Sequence, residues 1–289
     1  MKSKAVRIMS FVVGVYVVLL LTFSVLHTQL FSNPIDDNKA FESRKEQTDE
    51  FFMTSHGYKQ PLQAVVEINT KKLKQNPIDL DETVLLPYLD GHGDEEACLE
   101  VWEEIKELSD SICQDVEAYE DVSEDYVKVY ELAKYVAFNY YYDWDGFDNV
   151  SLDTINLSAV METHKATCAG YSNMFAALCE AQGYKVMSLK GGTPSTLIDI
   201  GYEDIVDSPT NHEWSAVYVD NRWVFVDITW LSANSYKEET FLTGKFAHFK
   251  YFDMDFEFMC TEHRIDVMEY RNFGKMGTYL EAINDVKEE

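Results

Sequence analysis

Two adjacent residues, Asp220 and Asn221, constrain this chain more than any others. They stand between two runs rich in β-branched and aromatic residues, from His212 to Val219 and from Arg222 to Thr229. Asp-Asn is suitable chemistry for a two-residue turn, so the segment reads as a tight antiparallel hairpin. With Asp220 and Asn221 as the loop, Val219 faces Arg222. Counting back along both strands then puts Trp214 opposite Asp227 and His212 opposite Thr229. His212 and Asp227 become diagonal neighbours on one face, where backbones lie about 7 to 8 Å apart and an imidazole can reach a carboxylate. A shift of either residue by one position would send it through the sheet. Asp227 also sits in an apolar run, where an unpaired carboxylate is costly, and His212 is the partner at hand.

Helices precede the hairpin. Apolar residues at Cys98, Val101, Trp102, Ile105, Leu108 and Ile112 recur at three and four, which predicts an amphipathic helix between Glu95 and Tyr119. A second helix starts after Ser123 as N-cap, with Glu124 and Asp125 at its positive end, and runs toward Tyr142. A third has Tyr171, Met174, Phe175, Leu178 and Ala181 on one face and Gly183 as its stop. Tyr184 to Leu189 reads as a strand, followed by a Gly191-Gly192 turn. Helices first and antiparallel strands afterwards make an α+β pattern.

The third helix places Cys168 at its N-terminus. A thiol attacks as its thiolate, and the free N–H groups and macrodipole at a helix start favour that anion. Lys165 lies close by in sequence. A base beside the sulfur and an acceptor behind the base complete the arrangement of nucleophilic catalysis, so Cys168, His212 and Asp227 are the candidate nucleophile, base and orienter. Taken singly, each has a structural reading: a core thiol, a strand histidine and a strand-end carboxylate.

Three ordered motifs carry a resemblance. Thr167-Cys168-Ala169-Gly170-Tyr171-Ser172, then His212-Glu213-Trp214, then Val226-Asp227-Ile228-Thr229-Trp230 together resemble the transglutaminase-like superfamily. The likeness runs from about Asp125 to His263. It implies a papain-like core in which a helix bearing the Cys packs on an antiparallel sheet bearing the His and Asp. It also implies acyl transfer through a thioester, from a Gln-type or peptide carbonyl to an amine or to water. Family members also include chains that have lost activity, so the alternative is an idle fold serving as a surface binding or assembly module. Tyr171, Trp214 and Trp230 are candidate substrate-binding aromatics, with core packing as their other reading. Glu213 and Ser215 depart from the family's usual small residue and Asn. The Tyr140-Tyr141-Tyr142 run walls the cleft or packs. His164 reads as an exposed loop residue, and His248 and His263 carry no spacing signal with each other.

A formal net charge of -27 repels phosphate backbones and argues against nucleic acid as a partner. Five cysteines form no CxxC pair and no zinc spacing, and no acidic loop has EF-hand spacing, so neither metal nor cofactor is expected. Cys98 and Cys113 fall at opposite ends of one helix, too far apart for a disulfide. Lys2, Lys4 and Arg7 precede nineteen uncharged residues from Ile8 to Leu26, near the ~20 that span a bilayer. The expectation is a single-pass signal-anchor over residues 1–31 with the rest outside the cytoplasm, or secretion if the segment is cleaved. Residues 32–94 then read as a stalk or extension, 95–270 as the transglutaminase-like domain and 271–289 as a C-terminal tail. The expected partners are the membrane, through that helix, and a protein or peptide substrate of the cell envelope.

Overall fold

The computed structural model describes residues 61–75, 87–119, 121–194, 202–244 and 247–273. In chain order the elements begin with α1 (Gln63–Leu73), α2 (Pro87–Asp90), α3 (Glu95–Cys113), α4 (Glu124–Asn139), β1 (Tyr141–Asp143) and α5 (Trp144–Asp148). Next come α6 (Leu157–Thr163), β2 (Lys165–Ala166), α7 (Cys168–Ala181), β3 (Lys185–Gly192) and α8 (Tyr202–Asp207). The chain then forms β4 (His212–Val219), β5 (Arg222–Val226), α9 (Ile228–Leu231), β6 (Ser235–Lys237), β7 (Thr240–Leu242), α10 (Phe256–Glu262) and β8 (Arg264–Tyr270). This is an α+β fold. The expected membrane segment lies outside the described residues, among which no helix is long and apolar enough to cross a membrane.

The main sheet has the order β5-β4-β3-β8, and every pair in it is antiparallel. The hairpin register is the one counted from the sequence: Val219 pairs with Arg222 and Ser215 with Val226. Asp220 and Asn221 both take positive φ, 50° and 60°, the backbone of a two-residue hairpin turn. The turn is also tied to the helices, because Ser123 at the N-cap of α4 bonds Asp220 at 2.7 Å. A second, smaller sheet has the order β2-β1-β6-β7.

α7 is the central helix. From Gly170 to Cys179 every residue is buried, and the helix lies against β3, β4, α3 and α4. Burying one such side chain as large as Phe175 is worth roughly 1.5 to 3 kcal/mol, so the helix that begins at Cys168 is held firmly. Gly170 permits this placement: a Cβ there would overlap the carbonyl oxygen of Thr154. Ser172 Oγ and Ser215 Oγ, 2.8 Å apart, tie α7 to β4.

Several expectations are corrected. α3 ends at Cys113, and α4 ends at Asn139 because Tyr140 is already extended. β5 stops at Val226 because Asp227 turns the chain, its side chain capping α9 through the Trp230 amide. Gly191 and Gly192 are no turn; they finish β3, and a Cβ on Gly191 would collide with the Arg264 carbonyl of β8. Within the stretch 32–94, read as a stalk or extension, lies α1, which packs on β8, α8 and α10. Val65 joins Ile205 and Cys260 in a small apolar cluster there, and the buried Asn69 bonds Cys260 Sγ.

Candidate active site

Thr167 is extended, and no side-chain cap closes the N-terminus of α7. The first amide groups of the helix thus have no side-chain cap, and the positive end of a helix favours negative charge beside it. Cys168 is half-buried, whereas Cys98, Cys113, Cys179 and Cys260 are buried and all five thiols are free. Burial pushes the thiols of Cys98, Cys113 and Cys260 up to about 11. Burial raises Cys179 as well. Lys165 does not serve the sulfur: its Nζ lies 4.5 Å over the Tyr236 ring and 3.9 Å from Asp143 Oδ2.

His212 begins β4 and is buried at 8 % exposure. Its Nε2 donates to Asp227 Oδ2 at 2.8 Å, and Cys168 is near enough to act on the ring electrostatically. With Nε2 committed to the carboxylate, Nδ1 is the nitrogen left to face sulfur. Burial alone would lower the His212 value, but the Asp227 charge and hydrogen bond, reinforced by Cys168, raise it to about 10. Asp227 is fully buried. Burial would raise its carboxyl, yet His212 and His263 hold it well below the ordinary carboxylate range. Its Oδ1 accepts from the Trp230 amide at 3.0 Å.

His263 was not legible as part of this group. It follows α10, is fully buried, and its Nε2 donates to the same Asp227 Oδ2 at 2.9 Å. The ligand atoms of His212, Asp227 and His263 lie within 4.8 Å of one another, a spacing a metal ion could use. Here both Nε2 atoms point their protons at one carboxylate oxygen, and the hydrogen bonds account for the arrangement.

The aromatic candidates separate. Trp230 is half-buried, and its ring stacks 5.1 Å from that of His212, at the edge of the site. Tyr171 and Trp214 are corrected: each is 1 % exposed, so neither offers a face to a ligand. Trp214 packs on His263 at 4.8 Å and Tyr171 reaches Ser232. Of the tyrosine run, Tyr140 is buried and stacks on the exposed His164. Tyr142 is half-buried and electrostatically coupled to Cys168; burial, then that coupling, raises its hydroxyl above the usual range. Glu213, the other departure, is buried against Arg271 and accepts from Ser188 Oγ at 2.6 Å.

Residues 113–228 match the family model described as the transglutaminase-like superfamily. Among characterised proteins the chain is similar to kyphoscoliosis peptidase of Mus musculus, 25 % identical over 179 residues that cover 60 % of this chain and 25 % of that protein. It is also similar to kyphoscoliosis peptidase of Homo sapiens, 32 % identical over 73 residues, covering 25 % of this chain and 10 % of the relative. The match thus spans a quarter or less of these relatives' length. Similar solved structures include one described as a TGase, 20 % identical with a TM-score of 0.34, covering 59 % of this chain and 40 % of that one. Another is a candidate cysteine protease from Cytophaga hutchinsonii, 15 % identical with a TM-score of 0.33, covering 71 % and 58 %. The matched segment contains Cys168, His212 and Asp227, the three candidate residues that the helix start and the hairpin supply, so the likeness to the transglutaminase-like superfamily falls on the residues of the candidate site.

Proposed function

We propose that this chain is a thiol enzyme that opens amide bonds of peptides or Gln side chains through an acyl-enzyme on Cys168. The observation that carries the reading is the buried His212–Asp227 pair, bonded at 2.8 Å, with the half-buried Cys168 near enough to act on the His212 ring. In this reading the thiol proton passes to His212 Nδ1, and the thiolate attacks the carbonyl carbon. The developing oxyanion lies near the open amides at the start of α7, which favour negative charge. His212 then gives its proton to the leaving nitrogen as the C–N bond breaks and the thioester forms. An amine or water, deprotonated by His212, releases the acyl group and restores the thiol. Asp227 stays a carboxylate throughout and keeps the ring in line. Trp230 and Tyr142, both half-buried beside the site, are the side chains we assign to the walls of the substrate cleft.

The uncharged stretch from Ile8 to Leu26 behind Lys2, Lys4 and Arg7 supports presentation of the domain outside the cytoplasm on a membrane anchor. Protease added to intact cells should remove the domain if this orientation holds.

The enzymatic test is to incubate the chain with a Gln-containing peptide and a labelled amine and weigh the products. A mass gain from the amine identifies transamidation, and a gain or break from water identifies hydrolysis. Both should vanish in Cys168→Ala. Iodoacetamide should label Cys168 faster than the four buried cysteines near neutral pH. Equal labelling of all five in the folded protein would rule out an activated sulfur and favour an idle binding fold.

A further inference from the structure

Resting on that reading of the site, we propose that His263 is a positioning residue that holds the Asp227 carboxylate in line with His212. Its Nε2 donates to Asp227 Oδ2 at 2.9 Å while His212 donates to the same oxygen at 2.8 Å. Trp230 N–H holds Oδ1 at 3.0 Å. A carboxylate can swing about its own Cβ–Cγ bond, and three donors on its two oxygens stop it in one plane. Of those donors His212 lies within the matched residues 113–228, the Trp230 amide just beyond them in α9, and His263 35 residues past their end.

The ring of His263 is itself immobilised. It is fully buried, with Trp230 at 4.6 Å and Trp214 at 4.8 Å between ring centres. Its backbone is clasped by the buried Asn69 of α1, which donates to His263 O at 2.9 Å and accepts from Ile265 N at 2.7 Å. α1 also lies outside the matched segment. Two elements outside the matched segment, α1 and the turn into β8, thus converge on one ring that, among the described residues, bonds Asp227 through Nε2 and meets no partner at Nδ1. His263 exchanges no proton in the cycle, since its Nε2–H remains on the carboxylate.

This has a chemical consequence. An N–H bonded to a carboxylate stabilises the anion and tempers its pull on a second proton. Without His263, the more basic Asp227 would hold the His212 proton to a higher pH, moving the alkaline inflection up, while its freedom to rotate would leave the imidazole out of line with the sulfur and slow the reaction at neutral pH. The other titratable groups at the site are Cys168, Tyr142, which senses Cys168, Tyr251, which senses the Asp227 charge, and Glu262, which accepts from Tyr251 Oη at 2.8 Å.

The test is the pH profile of Cys168 alkylation by iodoacetamide in the full chain, compared between parent, His263→Gln and His263→Met. Gln keeps an N–H donor, and Met has similar bulk with none. The Met variant should react about tenfold more slowly at neutral pH, with its alkaline inflection moved up, while Gln recovers most of the rate and the parent inflection. Gln and Met profiles that both coincide with the parent's would overturn the assignment. So would variants that all fail to fold, which would make His263 a packing residue. A parent whose Cys168 is itself unreactive would instead sink the thiol-enzyme reading, so the two failures are distinct.

Discussion

Replacing Asp227 by Asn probes both the fold and the chemistry of this corner. Three N–H groups, from His212, His263 and Trp230, converge on two carboxylate oxygens in a fully buried position. An amide has one oxygen. If that oxygen keeps the Trp230 amide, both imidazoles face an NH2 group; if it turns to the imidazoles, the cap of α9 is lost. Either way at least one charge-assisted bond disappears and one buried donor is orphaned, at about 1.5 to 3 and 1 to 3 kcal/mol respectively. The expected loss is about 3 to 5 kcal/mol, or roughly 10 °C in thermal midpoint for a unit of this size. Turnover per folded molecule should fall by on the order of 10³-fold or more, because the amide no longer selects the tautomer with Nδ1 facing sulfur. Differential scanning calorimetry gives the first quantity, and iodoacetamide kinetics at a temperature where the variant is folded give the second. An Asn variant within about 1 kcal/mol of the parent, with parent-like thiol reactivity, would refute the whole account of this carboxylate.

Three further outcomes follow from the geometry. The folded value of about 10 for His212 stands above the ordinary 6.5, so its contribution to stability is complete below about pH 6.5 and is lost as pH rises toward 10. Asp227 is held below 3.8, so its contribution is complete above about pH 4 and is lost in acid; urea midpoints across pH should peak between those limits and lose both slopes in a His212→Gln, Asp227→Asn double variant. Gly170→Ala would push a methyl into the Thr154 backbone carbonyl, costing about 1 to 3 kcal/mol and displacing Cys168. In Gly183→Ala, by contrast, the new methyl meets nothing within 4 Å, and the variant should lose about 1 kcal/mol through its φ of +85° with alkylation of Cys168 unchanged. Arg271→Met strands the buried Glu213 carboxylate and should cost about 3 to 5 kcal/mol by urea denaturation, much of it regained when Glu213→Leu is added.

What could be read from the sequence was local. The hairpin register rests on two turn residues and on strand parity, and the helix at Cys168 rests on one apolar face, so both are written in short windows. His263 enters from a strand edge 36 residues beyond Asp227, a separation at which no periodicity speaks. Gly191 and Gly192 look like a turn because glycine marks close backbone approach as well as reversal, and here it is β8 that approaches. α1 escaped notice because its deeply buried residues are Val65 and the polar Asn69, a pattern with almost no apolar stripe. Tyr171 and Trp214 were misassigned for the opposite reason: aromatic rings near a motif serve the interior at least as readily as a ligand.

Asp227 is at once the cap of α9 and the anchor of two imidazoles, and that double employment bears on how such chains age. A descendant that gave up turnover would still need the carboxylate to turn the chain after β5, so natural selection for mere folding would preserve it. Cys168 is half-buried and caps no element, so far less of the architecture rests on it. Drift in silent relatives should therefore show first at the sulfur and last at the aspartate, which makes the thiol the position to inspect when sorting working copies from retired ones.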